Sequence, residues 1–596
     1  MKEPFADAVM TAQGGDLVQE KAAIRQTVAG YIVGRIAELG VKHAFGLPGD
    51  FAFAIDDAID DQPGLEWVVC ANELNASYAA DSYARVHGAA LLTTTYGVGE
   101  LSAVNGVMGS FAERCVVFHM VGYPGERLAR TGRVLHHSTA NAMIKTGEFK
   151  PMSSQSCCVS YVASDPGLGT SEMDRVISTA LREQRPAYIA VPKDVGQMEI
   201  PGHVAPSGQK VLSVDLKAVS VPPSVELELK SAVAAVKNRL SKAESPIALV
   251  SFLCQRSGVT GKVISLIEKL NLKFAITPMD KGTIPENHPN YIGPYKGEAS
   301  SASVLSAVSA SDLVIDLGGV LFDDLSTGFG TSTIPKKDMI TLGRTVTTVG
   351  DESVERVQQH PRSYGPVFLG DVLDALLGDE SLGAFPARDI PSPLPWPEYN
   401  STAPGITYAS VASSLQHFLK PDDMFVLETG TCSLFLSNLL LPENCGYMNQ
   451  TLWGSIGWGT PACFGACLAA PERQVVFVTG DGSHQLTANE IGAMQRYGTS
   501  PIVLVLNNGL FGVEEFLEKN ASREYNVIAN WKYAEVAAAM GTAWDCVRVD
   551  SVQSLQEAMA TARSNEKGTY IEVMMSEKLL DPLASSALSK EYMDRP

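Results

Sequence analysis

Short apolar segments alternate with longer amphipathic segments along most of the chain, and this alternation restricts the fold more than any other feature. The apolar runs at 89–95, 115–121, 247–250, 313–317, 475–479 and 502–506 have the length of strands. Apolar strands separated by helix-length segments are typical of parallel sheets covered by helices on both faces. The pattern therefore predicts an α/β fold with mostly parallel sheets flanked by helices.

Two proline-rich stretches divide the chain into consecutive segments. Residues 204–224 and 381–405 contain several prolines and lack helical periodicity, which disfavours both a helix and a central strand. We therefore expect an N-terminal extension at 1–24, followed by domains at 25–203, 225–380 and 405–596. A chain of 596 residues has room for about three or four domains of ordinary size.

Composition argues against several classes of protein. The chain has 46 Lys and Arg against 66 Asp and Glu, a net charge of −20, so phosphate backbones repel it and we expect no nucleic-acid binding. No apolar run reaches the roughly 18 residues of a membrane span, and the first residues lack the apolar core of a secretory signal. The ten cysteines contain no CxxC pair, so we expect reduced thiols in a cytoplasmic protein without membrane contact.

A glycine-rich turn follows one apolar run, and an amide side chain follows the next. The turn is GDGS at 480–483, and the amide is Asn508. Since parallel strands end at the same edge of a sheet, we expect Asp481 and Asn508 to lie side by side. Glycine lets an anion approach the backbone, and carboxylate and amide oxygens suit Mg²⁺ bridged to phosphate. Together the two motifs predict a diphosphate–Mg²⁺ site, although each alone is also a common turn sequence.

These motifs resemble the signature of thiamine diphosphate (ThDP) enzymes, and further stretches narrow the resemblance to the pyruvate/indolepyruvate decarboxylase family. The stretches are GLPGDF at 46–51, ANELNASY at 71–78, GVGELSA at 97–103, the histidine pair 136–137, ETGT at 428–431 and WGSIG at 453–457. The resemblance implies a pyrimidine-binding, a middle and a diphosphate-binding domain, in that order. It also implies ThDP and Mg²⁺ as cofactors, decarboxylation of a small 2-oxo acid, and a homodimer or homotetramer in which two chains share each active site.

The resemblance assigns roles to particular residues. Glu73 matches the glutamate that bonds the aminopyrimidine ring and promotes its imino form. Leu510 stands where the family commonly has glycine, and only its carbonyl is asked to bind metal. The matched catalytic residues are Asp50, Glu73, His136, His137 and Glu514; the matched cofactor-binding residues are Glu73, Thr429, Thr431, Gly454, Ile456, Asp481, Gly482, Ser483 and Asn508; and the matched metal ligands are Asp481, Asn508 and Leu510.

The substrate stays open between pyruvate and a larger aliphatic or aromatic 2-oxo acid. Ser433 and Leu325 stand where pyruvate-specific relatives tend to have bulky aromatic residues, which predicts a wider pocket. Thr429 is the pyruvate-type residue and points the other way, and residues 138–149 depart from the family's loop after the histidines. Two other functions are kept as alternatives: a ThDP carboligase of the acetolactate synthase type, and a non-catalytic assembly protein on a ThDP scaffold.

Overall fold

A computed structural model of the chain describes residues 25–139, 148–164, 169–204, 222–324, 326–327, 334–350, 362–396, 398, 405–517 and 523–576. Three mostly parallel sheets follow one another along the chain, and helices flank them, so the predicted α/β fold class is confirmed. The N-terminal extension at 1–24 lies outside the described residues, and the predicted domain boundaries stay predictions. None of the described helices is both long enough and apolar enough to cross a bilayer.

The first sheet has six parallel strands. A short antiparallel pair, β1 (Arg25–Thr27) and β8 (Glu199–Val204), accompanies it. The six strands are β2 (His43–Gly46), β3 (Glu66–Val69), β4 (Ala90–Thr95), β5 (Val117–Tyr123), β6 (Val159–Val162) and β7 (Ala187–Pro192), in the order β3-β2-β4-β5-β7-β6. The helices of this part are α1 (Val28–Ala37), α2 (Phe53–Asp60), α3 (Glu73–His87), α4 (Val98–Ala112), α5 (Glu126–Ala129), α6 (Lys150–Ser153), α7 (Gly169–Glu183) and α8 (Lys193–Gly196).

The middle sheet has seven strands, of which the last two along the chain pair antiparallel. The strands are β9 (Pro246–Val250), β10 (Lys273–Ile276), β11 (Tyr291–Pro294), β12 (Leu313–Gly318), β13 (Met339–Gly343), β14 (Thr347–Val349) and β15 (Arg362–Tyr364), in the order β11-β10-β9-β12-β13-β14-β15. Its helices are α9 (Glu226–Leu240), α10 (Leu253–Arg256), α11 (Thr260–Leu270), α12 (Ala302–Ser309) and α13 (Leu369–Leu377).

The third sheet has six parallel strands and repeats the strand order of the first. The strands are β16 (Met424–Leu427), β17 (Gly446–Met448), β18 (Val475–Gly480), β19 (Ile502–Asn507), β20 (Asp545–Val549) and β21 (Thr569–Met574), in the order β17-β16-β18-β19-β21-β20. The helices are α14 (Tyr408–Phe418), α15 (Thr431–Leu436), α16 (Gly459–Ala469), α17 (Asp481–Thr487), α18 (Glu490–Arg496), α19 (Gly512–Leu517), α20 (Tyr533–Ala539) and α21 (Val552–Ser564).

Helix α3 connects the first and third sheets. The Asn72 side chain caps its N-terminus by accepting a hydrogen bond from Asn75 N (2.9 Å), which fixes the place where Glu73 begins the helix. The helix packs against α16 so closely that a Cβ on Gly465 would lie 2.1 Å from the carbonyl O of Ala79. One apolar cluster therefore includes residues around both sheets, whereas the middle sheet is packed in separate clusters.

We expect Gly465→Ala to lower the free energy of unfolding by about 3 kcal/mol, because the added methyl group meets a backbone carbonyl that no side-chain rotation can move away. The matched control is Gly261→Ala on α11, where a Cβ meets no atom within 4 Å and alanine should stabilise the helix slightly. Unfolding midpoints of the two variants test this. Equal midpoints would show that α3 and α16 have room to separate.

Candidate active site

A cavity of about 260 Å³ lies at the carboxyl ends of β18 and β19. It is lined almost entirely by the loops and helix starts that follow the strands of the third sheet, which is where parallel α/β sheets bind ligands. Several residues predicted to bind cofactor or metal, and the predicted catalytic Glu514, line it: Thr429, Thr431, Ile456, Asp481, Gly482, Ser483, Asn508, Leu510 and Glu514.

Asp481 is a buried anion at the centre of this cavity. It is the first residue of α17 and only 1% exposed. Its carboxylate accepts hydrogen bonds from Gly482 N (2.9 Å) and Gly509 N (2.7 Å). Burial raises its pKa to about 6, against the opposing effect of these backbone hydrogen bonds. No lysine, arginine or histidine is among the main influences on that pKa, and no described cation forms an ion pair with the carboxylate.

Asn508 lies beside Asp481, as the strand pattern predicted. Strands β18 and β19 are parallel neighbours, and Gly509, with φ of 73°, turns its N–H towards the Asp481 carboxylate. Asn508 Oδ1 accepts a hydrogen bond from Leu510 N (3.1 Å), and its Nδ2 donates to the Tyr408 hydroxyl (3.4 Å). A carboxylate, a side-chain amide and a loop carbonyl are thereby gathered at one end of the sheet.

A second cavity of about 160 Å³ shares Thr429, Ile456 and Glu514 with the first. Gly454, predicted to bind the cofactor, lines it with φ of 64°. Ser433, predicted to widen the substrate pocket, also lines it, and its hydroxyl donates to the Gly430 carbonyl (2.9 Å). The other predicted pocket residue, Leu325, lies outside the described residues.

Glu428 forms hydrogen bonds to two of the segments that border the cavities, although the sequence analysis assigned it no role. It is completely buried, and its carboxylate accepts hydrogen bonds from Thr429 N (3.0 Å) and Gly459 N (2.9 Å). Thr429 precedes α15, and Gly459 begins α16, two residues beyond Gly457. Burial raises the pKa of Glu428 to about 8, partly opposed by backbone hydrogen bonds that include Gly457.

This raised pKa makes stability depend on pH. Unfolded glutamate releases its proton near pH 4.3, whereas folded Glu428 retains it up to about pH 8. The folded state binds the extra proton, so stability falls as pH rises through this window. Between pH 5 and pH 8 we expect the free energy of unfolding of the native chain to fall more than that of Glu428→Gln, by a few kcal/mol at most. The thermal midpoints of the two proteins, measured across this pH range, report the difference. The exposed Glu566→Gln is the control, and equal slopes for all three proteins would contradict the prediction.

The remaining predicted catalytic residues gather around the first sheet. His136 Nε2 lies 3.1 Å from Asp50 Oδ1, and the His136 and His137 ring centroids are 4.5 Å apart. Burial and the neighbouring His136 lower the pKa of His137, while the charges of Asp50 and Glu73 act to raise it. Glu73 has room because Gly99 has no side chain: a Cβ there would lie 3.1 Å from Glu73 Oε1.

Within one chain these two groups of residues are not joined. The described residues that line the two cavities come from the middle and third sheets and include none of Asp50, Glu73, His136 or His137. The Asp50 and His136 side chains are 46% and 57% exposed, so the first-sheet cluster is open to solvent. The structure thus brings Glu514 to the cavities and leaves the other four predicted catalytic residues elsewhere.

Comparison with known families gives three matches in succession. "Thiamine pyrophosphate enzyme, N-terminal TPP binding domain" matches residues 26–146, "Thiamine pyrophosphate enzyme, central domain" matches 233–358, and "Thiamine pyrophosphate enzyme, C-terminal TPP binding domain" matches 428–573. Thiamine pyrophosphate is ThDP under another name. The ThDP cofactor expected from the motifs is therefore confirmed.

Curated relatives match over nearly the full length. The pyruvate decarboxylase of Kluyveromyces lactis is 32% identical over 559 residues, which cover 92% of this chain and 95% of that protein. The chain belongs to the ThDP-dependent 2-oxo acid decarboxylases. An alpha-keto-acid decarboxylase of Mycobacterium leprae, another relative of this decarboxylase, is 31% identical over 95% of this chain and 96% of its own. The Rhodococcus jostii ThDP-dependent 4-hydroxybenzoylformate decarboxylase shares the fold, with a TM-score of 0.70 and 18% identity over 93% of this chain and 100% of its own.

The first cavity of the decarboxylase fits ThDP with a divalent cation. Asp481 supplies a buried carboxylate without a positive partner, and the Asn508 amide lies next to it. A Cβ on Gly430 or Gly480 would meet no atom within 4 Å, so the backbone at both positions is open to a ligand. Tyr408 also lines this cavity, and no sequence signal links it to residues so far along the chain.

Proposed function

We propose that this decarboxylase converts a 2-oxo acid to an aldehyde and CO₂ without oxidation. The observation that carries the proposal is the continuity of two cavities: one holds the buried Asp481 and Asn508, and the other adjoins it through Ile456 and Glu514. The first suits the cofactor and the second a substrate beside it. When bound, ThDP supplies the electron sink that loss of CO₂ requires and that no side chain provides.

We propose that residues at the end of the third sheet bind most of the cofactor. Asp481, Asn508 and the Leu510 carbonyl would bind Mg²⁺, an oxygen donor set of the kind that the ion prefers. Thr431, Ser483 and the Gly482 backbone would bind the diphosphate at the starts of α15 and α17. Gly454, Ile456 and Thr429 would support the aminopyrimidine ring, and Glu73 would bond its ring nitrogen.

We assign proton transfer to Glu514 in the second cavity and to the Asp50, His136 and His137 cluster. The reaction adds one proton at the substrate carbonyl oxygen, adds one at the carbon that loses CO₂, and removes one when the aldehyde leaves. Asp50 Oδ1 holds His136 Nε2 at 3.1 Å, a pair that suits such transfers because imidazole titrates near neutral pH. Groups of this type each contribute typically about 10²–10⁴-fold to the rate.

We propose that two chains assemble each active site, as a homodimer or a homotetramer. Glu73 and the histidine pair lie outside the cavities of their own chain, and an exposed cluster beside Asp50 is available to meet the cavity of another copy. A two-fold interface would bring both pairs of half-sites together at once.

Mixed assemblies test this arrangement. Glu73→Gln and Asp481→Asn are co-expressed and assayed at a ThDP concentration too low to load Asp481→Asn, so that each variant alone is inactive. The mixture should restore about a quarter of native activity, because half of the randomly formed dimers contain one intact site of two. Each variant expressed alone is the control. If each chain instead used its own Glu73 and Asp481, the mixture would stay as inactive as the separate variants.

Substrate choice is tested by aldehyde release, coupled to an alcohol dehydrogenase, with ThDP and Mg²⁺ present. Pyruvate, a branched 2-oxo acid, phenylpyruvate and indolepyruvate are compared by kcat/KM. Because small Ser433 lines the second cavity, we expect an acid larger than pyruvate to lead the ranking. A ranking led by pyruvate would mean that Thr429 is the better guide, and acyloin or acetolactate as the main product would favour a carboligase.

A cytoplasmic location completes the proposal. All ten cysteines are free thiols, and burial raises the pKa of several of them, such as Cys432, to about 12. Buried thiols of this kind are unreactive and fit a reducing compartment. Cell fractionation with detection of the decarboxylase in the soluble or the organelle fraction tests this location.

A further inference from the structure

A lysine of the middle sheet reaches the cavity proposed for the substrate. Lys296 lies between β11 and α12, is only 6% exposed, and lines the second cavity together with Ser433 and Glu514. Its Nζ donates to the Ser437 hydroxyl (2.9 Å) and, more weakly, to the Leu434 carbonyl (3.4 Å) at the end of α15. The side chain therefore crosses from the middle domain to the wall of the cavity.

The Lys296 ammonium forms no ion pair with a carboxylate of the described residues, although Glu514 lines the same cavity. Burial is the main cause that lowers its pKa, to about 7, the charge of Lys281 lowers it further, and no carboxylate acts to raise it. Lys281 itself forms an ion pair with Glu286 at 2.8 Å, so Glu286 already has a cationic partner. Removing an unpaired ammonium from water costs several kcal/mol, which is why burial lowers this pKa. An anionic ligand at Nζ would offset that cost and keep the lysine charged.

The geometry also indicates where that anion belongs. An ammonium has three N–H donors, and two of those of Lys296 are used by Ser437 and Leu434, which leaves one for a ligand in the cavity. The carboxylate that leaves as CO₂ would be held back by a cation, since its charge disappears as the bond breaks. A second carboxylate at the far end of the substrate keeps its charge throughout and gains from the contact.

We propose that Lys296 selects 2-oxo acids that carry a second, distal carboxylate, which its ammonium binds beside the Ser437 hydroxyl. The inference rests on the proposed function and names the substrate class of that same site. Lys296 is a specificity-determining residue and takes no part in the transfer of protons. A charge-assisted hydrogen bond in a buried site accounts for discrimination of about 100-fold against a neutral side chain of the same shape.

The test compares the dicarboxylic probes 2-oxoglutarate and 2-oxoadipate with 5-methyl-2-oxohexanoate, in which an isopropyl group replaces the distal carboxylate of 2-oxoglutarate. We expect kcat/KM of the native holoenzyme to favour a dicarboxylic probe about 100-fold, and Lys296→Met to remove that preference. Lys230→Met, an exposed lysine of the same domain, should keep it. Methionine fills a similar volume, and the Ser437 hydroxyl can still donate to the Leu434 carbonyl (3.1 Å), so the variant should fold.

Calorimetric binding of glutarate, which lacks the 2-oxo group and cannot react, gives a readout independent of turnover. Glutarate should bind the native holoenzyme and bind Lys296→Met at least about 10-fold more weakly. A variant with a lower thermal midpoint but an unchanged substrate ratio would mean that Lys296 only braces α15, and the proposal would be overturned. Aldehyde formed only from 2-oxo acids without a distal carboxylate would also overturn the proposal. If no acid gives an aldehyde, the proposed function is overturned, and the binding of glutarate then tests the role of Lys296 by itself.

Discussion

Glu73→Gln is expected to abolish aldehyde release, with a loss of at least about 10³-fold in kcat. Glu73 begins α3 in a half-buried position, and Gly99 leaves its carboxylate free to face a ligand. Glutamine keeps the shape and the helix start but cannot accept or share a proton, so the cofactor should still bind while its activation fails. Steady-state turnover and ThDP affinity, measured on the same preparation, separate these two effects.

The matched control is Glu172→Gln. Glu172 also lies in the first turn of a 15-residue helix, α7, but it is exposed, and its described partner is Arg175. Both substitutions remove one negative charge near a helix N-terminus, which costs about 0.3–1 kcal/mol of stability. Only Glu73→Gln should lose turnover. Full activity of that variant would refute the role assigned to Glu73 and, with it, the proposed mechanism.

Asp481→Asn is expected to weaken the binding of ThDP and Mg²⁺ by about 100-fold or more. The carboxylate is buried, its pKa is raised to about 6, and no cation of the described residues offsets its charge. A divalent ion supplies that missing charge, and asparagine offers it only a neutral oxygen. Titration of the apoenzyme with ThDP at fixed Mg²⁺, followed by tryptophan fluorescence, gives the apparent Kd.

Thermal unfolding of the same variant gives an independent reading. Without cofactor, Asp481→Asn should be at least as stable as the native chain, because it removes a buried charge that two backbone N–H groups compensate only in part. With saturating ThDP and Mg²⁺ the order should reverse, since only the native chain gains the full free energy of binding. Asp550→Asn, an exposed acid of the same domain, should follow the native chain in both conditions. An unchanged apparent Kd would exclude Asp481 as a ligand.

The strands could be predicted from the sequence because an apolar run of strand length is a local signal. The run 115–121 became β5 at Val117–Tyr123, and the run 475–479 became β18 with one added glycine. The short antiparallel strands β14 and β15 were missed, since three residues carry too little pattern to be distinguished from a loop. The order of the strands within each sheet could not be predicted either, because it depends on how the helices pack and not on any single segment.

The site could be predicted only where topology brings residues together. Asp481 and Asn508 follow adjacent parallel strands, so their proximity followed from the apolar runs alone. Lys296 and Tyr408 reach the cavities from other parts of the chain, through packing that leaves no trace in local sequence. Glu428 belonged to a recognised motif, but its burial and its hydrogen bond to Gly459 N arise only when α16 docks beside β16.

The contact between α3 and α16 also delays the final folding of the N-terminal part during biosynthesis. Helix α3 ends at His87, and the helix that packs against it, α16, begins at Gly459. The ribosome must therefore synthesise all the residues between these two helices before α16 can cover the surface around Ala79. At about 5–20 residues per second the delay is roughly 20–75 seconds. During that interval the nascent N-terminal part exposes an unpartnered helix face, and its final fold waits for the last third of the chain to emerge.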